Sequence, residues 1–214
     1  GVPVPAVRGV PRIHSNNIKP EFTATYRPLD TLTLFASYKT GYQSGSLNIA
    51  TGASTGQNNA YGNEYVKGGE VGLKSRLFDR HLSLDFAGYD YKYSGLQVTT
   101  LIAQGGLLPV ARTLNAGSAK TYGLELDSAY TPPGAEGLKL NLTVNWNHAR
   151  FGTLDNVPCY GGQEVSEGCN ELPAPSGLFT GQNLNGTPLI DAPEWSGSFG
   201  FNYEWPVGND MTLT

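Results

Sequence analysis

The sequence predicts an all-β fold, an antiparallel transmembrane β-barrel segment of about seven long strands plus the start of an eighth. Three observations carry this. Apolar residues recur with period two almost throughout, and helical spacing is sustained nowhere. Several strand-like segments run about twice the ~5–6 residues of ordinary globular strands, and a tilted bilayer crossing needs about 9–11. Tight turns alternate with long polar loops, as at the two rims of a membrane barrel.

Composition agrees. Charged residues make up 15 % of the 214 residues, against roughly 25 % in soluble domains. The net charge is −4 and no basic tract occurs, which speaks against a nucleic-acid partner. The longest apolar runs, such as Leu107-Leu108-Pro109-Val110-Ala111, fall far short of the about 20 residues of a membrane helix. The chain starts at Gly1 without a leader-like segment and stops at Thr214 within strand-like Met211–Thr214, so a fragment of a longer protein is expected.

The elements follow in order. Strands are expected near 18–28 and 30–43, joined by the tight Arg27-Pro28-Leu29-Asp30. A long Gly/Asn/Ser/Thr-rich loop covers 44–63. Strands near 64–77 and 81–98 meet at Phe78-Asp79-Arg80-His81, and a longer connection spans 99–114. Strands near 115–131 and 138–151 flank the short 131–137 turn. A very long loop fills 152–191 and precedes a strand near 192–206. The short Pro206–Asp210 turn leads to the eighth strand, which begins near 211.

Alternation sorts these strands into two faces. One carries Phe22, Ala24, Leu34, Ala36, Val71, Leu73, Leu84, Phe86, Leu124, Leu126, Leu142, Val144, Phe199 and Phe201, with no charge among its members. The other carries Glu70, Lys74, Arg76, Asp85, Glu125, Asp127, Lys139, Glu194 and Glu204, expected as lumen-facing charges. A charge facing lipid at the midplane costs roughly 2–4 kcal/mol, whereas a lumen charge stays hydrated. Aromatics gather toward the ends of the apolar stripes: Tyr26, Tyr130 and Tyr203 toward the short turns, Tyr38, Tyr122, Trp146 and Trp195 toward the long loops. Two interfacial girdles are expected from them. After Phe86 the bulky residues change phase to Tyr89, Tyr91 and Tyr93. Either Gly88 marks a bulge or, the preferred reading, the strand leaves the bilayer and continues as an exposed hairpin.

The only two cysteines, Cys159 and Cys169, share one polar loop and show no zinc spacing. A local disulfide is expected, formed outside the cytosol; two free thiols are the alternative.

The stretch Asn63–Asp79, with Glu70-Val71-Gly72-Leu73-Lys74, followed by Arg80–Tyr91 with its terminal aromatics and Asp90, resembles the barrel of a TonB-dependent receptor. Asn115–Asp127, with Gly123-Leu124-Glu125, and Lys39-Thr40-Gly41-Tyr42 resemble neighbouring elements of that barrel. The resemblance implies a whole of about 22 strands, of which residues 1–214 form part, with the plug domain and remaining strands lying outside this sequence. It further implies a multi-pass β-barrel in the Gram-negative outer membrane that contacts the bilayer, couples to the TonB complex through the plug, and imports a scarce small-molecule ligand such as a ferric siderophore.

No catalytic, metal or cofactor site is expected. His14, His81 and His148 are scattered, and the loop acids Asp155, Glu164, Glu167, Glu171 and Asp191 lack the density of a calcium loop. Glu70 with Lys74 and Arg76, and Glu125 with Asp127, are candidates for a lumen charge network. Two other classes compete: a small or porin-like outer-membrane barrel acting as passive channel or adhesin, and a soluble β-sandwich binding module.

Overall fold

The computed structural model describes residues 14–48, 60–104, 107–115, 117–135, 137–155, 157–173, 176–206 and 212–213. Seven long strands form one antiparallel sheet in strict chain order: β1 (Glu21–Leu29), β2 (Leu32–Gln43), β3 (Glu64–Leu77), β4 (Leu82–Ser94), β5 (Ser118–Tyr130), β6 (Leu138–Phe151) and β7 (Trp195–Tyr203). No helix of the described residues is long and apolar enough to cross a membrane.

The register keeps the two faces separate. Ala24, Ala36, Val71, Gly88, Leu124, Trp146 and Trp195 form one continuous cross-strand row. Tyr26, Leu34, Leu73, Phe86, Leu126, Val144 and Gly197 form the row two residues nearer the short turns. Because side chains alternate, a slip of one residue on any strand would move its apolar set to the charged face.

The β3–β4 and β4–β5 ladders run through Gly88 without a shift, so no bulge lies there. The expected strand over 81–98 instead ends at Ser94. Gly95, at φ 66°, turns the chain into a separate hairpin of Gln97–Gln104 against Leu107–Asn115, the exposed hairpin preferred above, whose strands extend through the connection expected over 99–114. The chain returns through Gly117, at φ 63°, where an added Cβ would sit 1.2 Å from the Thr153 carbonyl oxygen. Both glycines are required by conformation and by space, since a Cβ at Gly95 would lie 2.7 Å from the Asn63 carbonyl oxygen. Asn115 clasps the base, its Nδ2 donating to the carbonyls of Gly95 (2.8 Å) and Gly62 (3.0 Å).

The long loop is not structureless. Phe179–Gln182 forms the centre of a small sheet between Val157–Pro158 and Glu171–Pro173, and Cys159 and Cys169 are joined in a disulfide beside it. Residues 184–189 then run back along β6: Gly186 N–H donates to the Phe151 carbonyl (2.8 Å) and Leu189 N–H to that of Ala149 (3.1 Å). The expected strand over 192–206 narrows to Trp195–Tyr203. Trp205–Pro206 pairs with Thr212–Leu213 as a short hairpin, where the start of the eighth strand was expected; its turn lies outside the described residues, as does most of the 44–63 loop.

The dry core is small and off centre. Among the described residues the buried hydrophobics are Ala119, Ala149, Phe151, Leu154 and Cys169, all under or beside the long loop. Large apolar residues on the apolar face stay open, Phe22, Phe199 and Phe201 at 68 % each.

Candidate functional site: the charged face of the sheet

Alternation brings Lys39, Glu70, Lys74, Arg76, Asp85, Glu125 and Asp127 onto one face. Their pairing differs from the sequence expectation. Glu70 does not pair with Lys74 or Arg76. Same-face residues four apart on a strand sit about 13 Å apart, whereas side chains directly across sit at about 5 Å. Glu70 therefore takes partners from both neighbouring strands: Lys39 Nζ at 2.8 Å, the Tyr91 hydroxyl at 2.6 Å and the Ser37 hydroxyl at 3.5 Å. Lys74 pairs with Asp85, its opposite number on β4, at 2.9 Å, and Arg76 approaches the other oxygen of that carboxylate at 3.8 Å while also donating to Ser83 Oγ.

Asp85 lies directly opposite Asp127. Like charges in that position repel, and the face resolves it by giving Asp85 two cations and Asp127 the Thr143 hydroxyl at 2.7 Å. Glu125 accepts from Asn145 Nδ2 at 3.4 Å. Lys139 is exposed near the short-turn end. Glu204 lies just past β7, its backbone N–H donating to the Gly137 carbonyl at 2.8 Å.

Glu194 departs from the expected set. It precedes β7, and its carboxylate accepts the indole N–H of Trp146 at 3.3 Å, on the apolar face. Parity alone placed it with the lumen charges, but parity does not extend past a strand end.

Tyr89 and Tyr91 explain the phase change after Phe86. Their rings lie on the charged face, over Gly123 and Gly68, where a Cβ would meet them at 2.6 and 2.4 Å. The Tyr89 hydroxyl donates to Asn147 Oδ1 at 3.1 Å, which also accepts from Thr121 at 2.8 Å. As members of a polar network on this face, Lys39, Tyr89, Tyr91 and Asn147 were not singled out from the sequence. The available signal was glycine directly opposite an aromatic, visible only once register is known.

On the other face Tyr122, Trp146 and Trp195 form a run of rings, 5.9 Å and 6.5 Å between successive centroids. Tyr26 stands on the outermost strand, Tyr130 and Leu82 face each other, Tyr203 faces Leu138, and Tyr38 shares a row with Tyr122. His148 stacks on Tyr122 at 4.8 Å and His81 bonds the Thr131 carbonyl, so neither is arranged with a nucleophile. Among the described residues no group of three His, Cys, Asp or Glu side chains stands close enough to hold a metal ion.

The TonB dependent receptor-like β-barrel family matches residues 4–213, nearly the whole sequence. The chain belongs to this family. No curated protein matches it. Among solved structures, the siderophore receptor PiuA from Acinetobacter baumannii aligns at TM-score 0.59 and 18 % identity, over 86 % of this chain and 23 % of that one. The ferric yersiniabactin uptake receptor FyuA from Yersinia pestis aligns at 0.56 and 16 %, over 88 % and 23 %. The alcaligin outer membrane receptor FauA from Bordetella pertussis aligns at 0.51 and 15 %, over 91 % and 27 %. At such identities these likenesses show the fold alone. The chain spans about a quarter of the length of these receptors. The family is one of outer-membrane receptors and transporters, so the soluble-sandwich reading falls.

Proposed function

We propose that this chain is a wall segment of an outer-membrane receptor that imports a scarce ligand, a ferric siderophore or similar chelate, by TonB-coupled active transport. The apolar face is the lipid face, and the charged face lines the lumen against plug, water and passing ligand.

One observation carries the face assignment. Along hydrogen-bonded rows the short-turn tyrosines are staggered: Tyr130 lies four positions beyond Leu126, and Tyr203 six beyond Gly197, relative to the row through Tyr26. Tyr130 is on the fourth strand after β1 and Tyr203 on the sixth. The stagger is therefore one residue per strand. With a ~3.3 Å rise and ~4.8 Å strand spacing this is a strand tilt of about 35°, within the roughly 35–45° of membrane barrels. At that tilt the three tyrosines are level. Tyr122 stands eight residues above Tyr130, and Trp195 eight above Tyr203, which makes the two aromatic lines about 22 Å apart, close to the ~25 Å apolar band of such barrels. Tyr38 falls about 14 Å above the lower line, inside the band, and Tyr42 takes its expected place near the upper one.

Family membership supports the transport reading, as do the names of the siderophore and ferric yersiniabactin receptors among its structural neighbours. The coupling partner would act through the plug domain, and the outer loops would hold the ligand. The test is uptake of a panel of ⁵⁵Fe-loaded siderophores by iron-starved cells carrying or lacking the receptor that contains this chain. Receptor-dependent uptake that stops when TonB is deleted or the proton-motive force is collapsed is the expected result. Uptake that persists under both treatments identifies a passive channel and overturns the proposal.

A further inference from the structure

The charged face of the sheet changes sign with height. At mid-height Asp127 and Glu125 have only neutral partners, the Thr143 hydroxyl at 2.7 Å and Asn145 Nδ2 at 3.4 Å. Two residues nearer the short turns, about 7 Å lower, the row runs Arg76, Ser83, Ala129. There the face turns basic and holds a cavity of about 500 Å³.

The floor of the cavity is small and half-buried: Ser83, Ala129 and Thr131. Its walls are exposed cations, Arg76 and Arg80 on one side and Lys139 on the other. Arg76 leans inward and donates to Ser83 Oγ, while its backbone N–H donates to the Thr31 carbonyl at 2.8 Å and ties the end of β3 to the β1–β2 turn. His81 and Thr131 hold each other twice. The Thr131 N–H donates to the His81 carbonyl at 2.9 Å, and His81 Nδ1 donates to the Thr131 carbonyl at 2.9 Å. Phe78, Asp79 and Arg80 are left-handed in succession, at φ 52°, 52° and 72°, which non-glycine residues seldom adopt. That turn brings both Arg80 and His81 into the cavity wall.

The cations are poorly neutralised from within. Arg76 shares the Asp85 carboxylate with Lys74, at 3.8 and 2.9 Å. Arg80 and Lys139 have no ion-pair partner among the described residues. Asp30 is the one carboxylate in the described lining. Like charges lining a concave site focus the field and concentrate ions of opposite sign. Guanidinium, ammonium and hydroxyl groups together are a donor set for carboxylate and phosphate oxygens. The acidic belt above repels the same anions, so the rim is where one would be held.

We infer that this cavity is an anion seat at the periplasmic mouth of the lumen, for small molecules that carry two or more carboxylate or phosphate groups. Short turns mark the periplasmic side of such barrels. Arg76 and Lys139 stand three strands apart, with about 14 Å between their backbones, so an occupant that touches both walls needs an acid group at each end. The role of the seat rests on the transport reading above: it takes an acid-bearing chelate as it leaves the lumen.

The seat is tested on the full receptor purified in non-ionic detergent, by calorimetry with pyrophosphate and citrate as probes and inorganic phosphate as comparator. Arg80→Gln/Lys139→Gln leaves the Arg76–Asp85 contact in place. It is expected to weaken both probes at least about tenfold, the loss that follows from one hydrogen bond to a charged group. Lys67→Gln/Lys92→Gln, which removes the same charge at the opposite rim, should bind like the parent, and affinity should fall as salt rises. No binding by the parent, or equal binding by the parent and Arg80→Gln/Lys139→Gln, overturns the seat. Inorganic phosphate binding as tightly as pyrophosphate overturns the requirement for two acid groups. Uptake of ⁵⁵Fe-loaded chelates by iron-starved cells tests the cargo. Arg80→Gln/Lys139→Gln should slow saturated uptake of a polycarboxylate or tricatecholate chelate severalfold, with binding at the cell surface and uptake of a neutral trihydroxamate chelate unchanged. Equal slowing of charged and neutral chelates, or transport of neutral ones alone, overturns the cargo role. Receptor-dependent uptake of no chelate defeats the transport reading instead, and calorimetry still decides the seat.

Discussion

The two faces of one sheet are held by different physics. The apolar face makes few specific contacts, and its large residues stay open: Val71 is 63 % exposed and Phe199 68 %. The charged face is a mesh of directional bonds, with Lys39, Ser37 and Tyr91 on Glu70, and Lys74 and Arg76 on Asp85. In water the first arrangement is a liability. In a bilayer it needs nothing further, because lipid supplies the contacts. The second needs water or polar partners wherever it is. A third region behaves like an ordinary soluble domain: the base of the 152–191 loop covers Ala119, Ala149, Phe151 and Leu154, which are all buried. Solvent type, more than sequence composition, separates the three.

The sharpest way to break the contrast is a charge at mid-height on the apolar face. Leu126 stands four residues above Tyr130, halfway between the aromatic lines. Leu126→Arg is expected to destabilise the membrane-folded receptor by about 2–4 kcal/mol, read as loss of the heat-modifiable folded band after refolding into lipid. Asn145→Arg, on the other face and directly opposite Glu125, should change stability by less than about 0.5 kcal/mol. Equal effects of the two would end the distinction between faces.

The loop offers the next largest effect. Cys159 and Cys169 are ten positions apart, and closing so short a loop contributes about 2–3 kcal/mol in chain-entropy terms. Cys159→Ser/Cys169→Ser should raise protease cleavage within 157–182 sharply and leave the amide protection of β3–β6 unchanged. Loss of protection in the sheet as well would mean that loop and wall fold as one unit.

Within the charged face, Glu70→Ala removes the acceptor shared by Lys39, Tyr91 and Ser37. A cost of about 1–2 kcal/mol is expected, visible in denaturant titration, with Lys39→Ala in the Glu70→Ala background adding little. Full additivity of the two would show that the contact contributes nothing.

The smallest effect is a pH dependence in the loop. Backbone donation from Glu164 and the Tyr160 hydroxyl hold the Glu167 carboxyl below its ordinary value of 4.5, and the same bond raises Tyr160 above 10.0. A lowered carboxyl contributes above its unfolded value and is lost as pH falls through the folded one; a raised phenol contributes below its unfolded value and is lost as pH rises. Protection of the Glu167, Gly168 and Cys169 amides, which close the turn over Glu164 and Val165, should therefore be flat from about pH 5 to 9 and decline modestly outside that window. Glu167→Gln should flatten the acid side. An acid decline that survives this substitution assigns it elsewhere.

How much was legible beforehand follows the same division. Each of the seven long strands could be read from alternation, because a strand with one face in lipid must exclude charge from that face across the depth of the apolar band. Cys159 and Cys169 could be read as a pair from their isolation in one loop. The partners of Glu70 could not, since cross-strand neighbours are distant in sequence and depend on register, which for Lys39 and Ser37 the 20-residue loop between their strands leaves open. Glu194 was misplaced because alternation was carried past Trp195, where the strand begins. The Gln97–Asn115 hairpin could be read only as an exposed continuation of the strand after Phe86, without its strand bounds, because it stands outside the wall and carries no sustained face pattern.

The amino-acid sequence by itself determined the all-β class, the order of the wall strands, which residues share a face, and the family. These are set by local alternation and turn chemistry, which every strand repeats. Only the tertiary structure decided who meets whom: Glu70 with Lys39 and Tyr91, Tyr89 over Gly123, and four basic side chains in one row from Lys67 to Arg150. Register is a property of strand pairs, fixed by the stagger of neighbours rather than by any segment alone, so the chemistry that depends on it appears only when the strands are brought side by side.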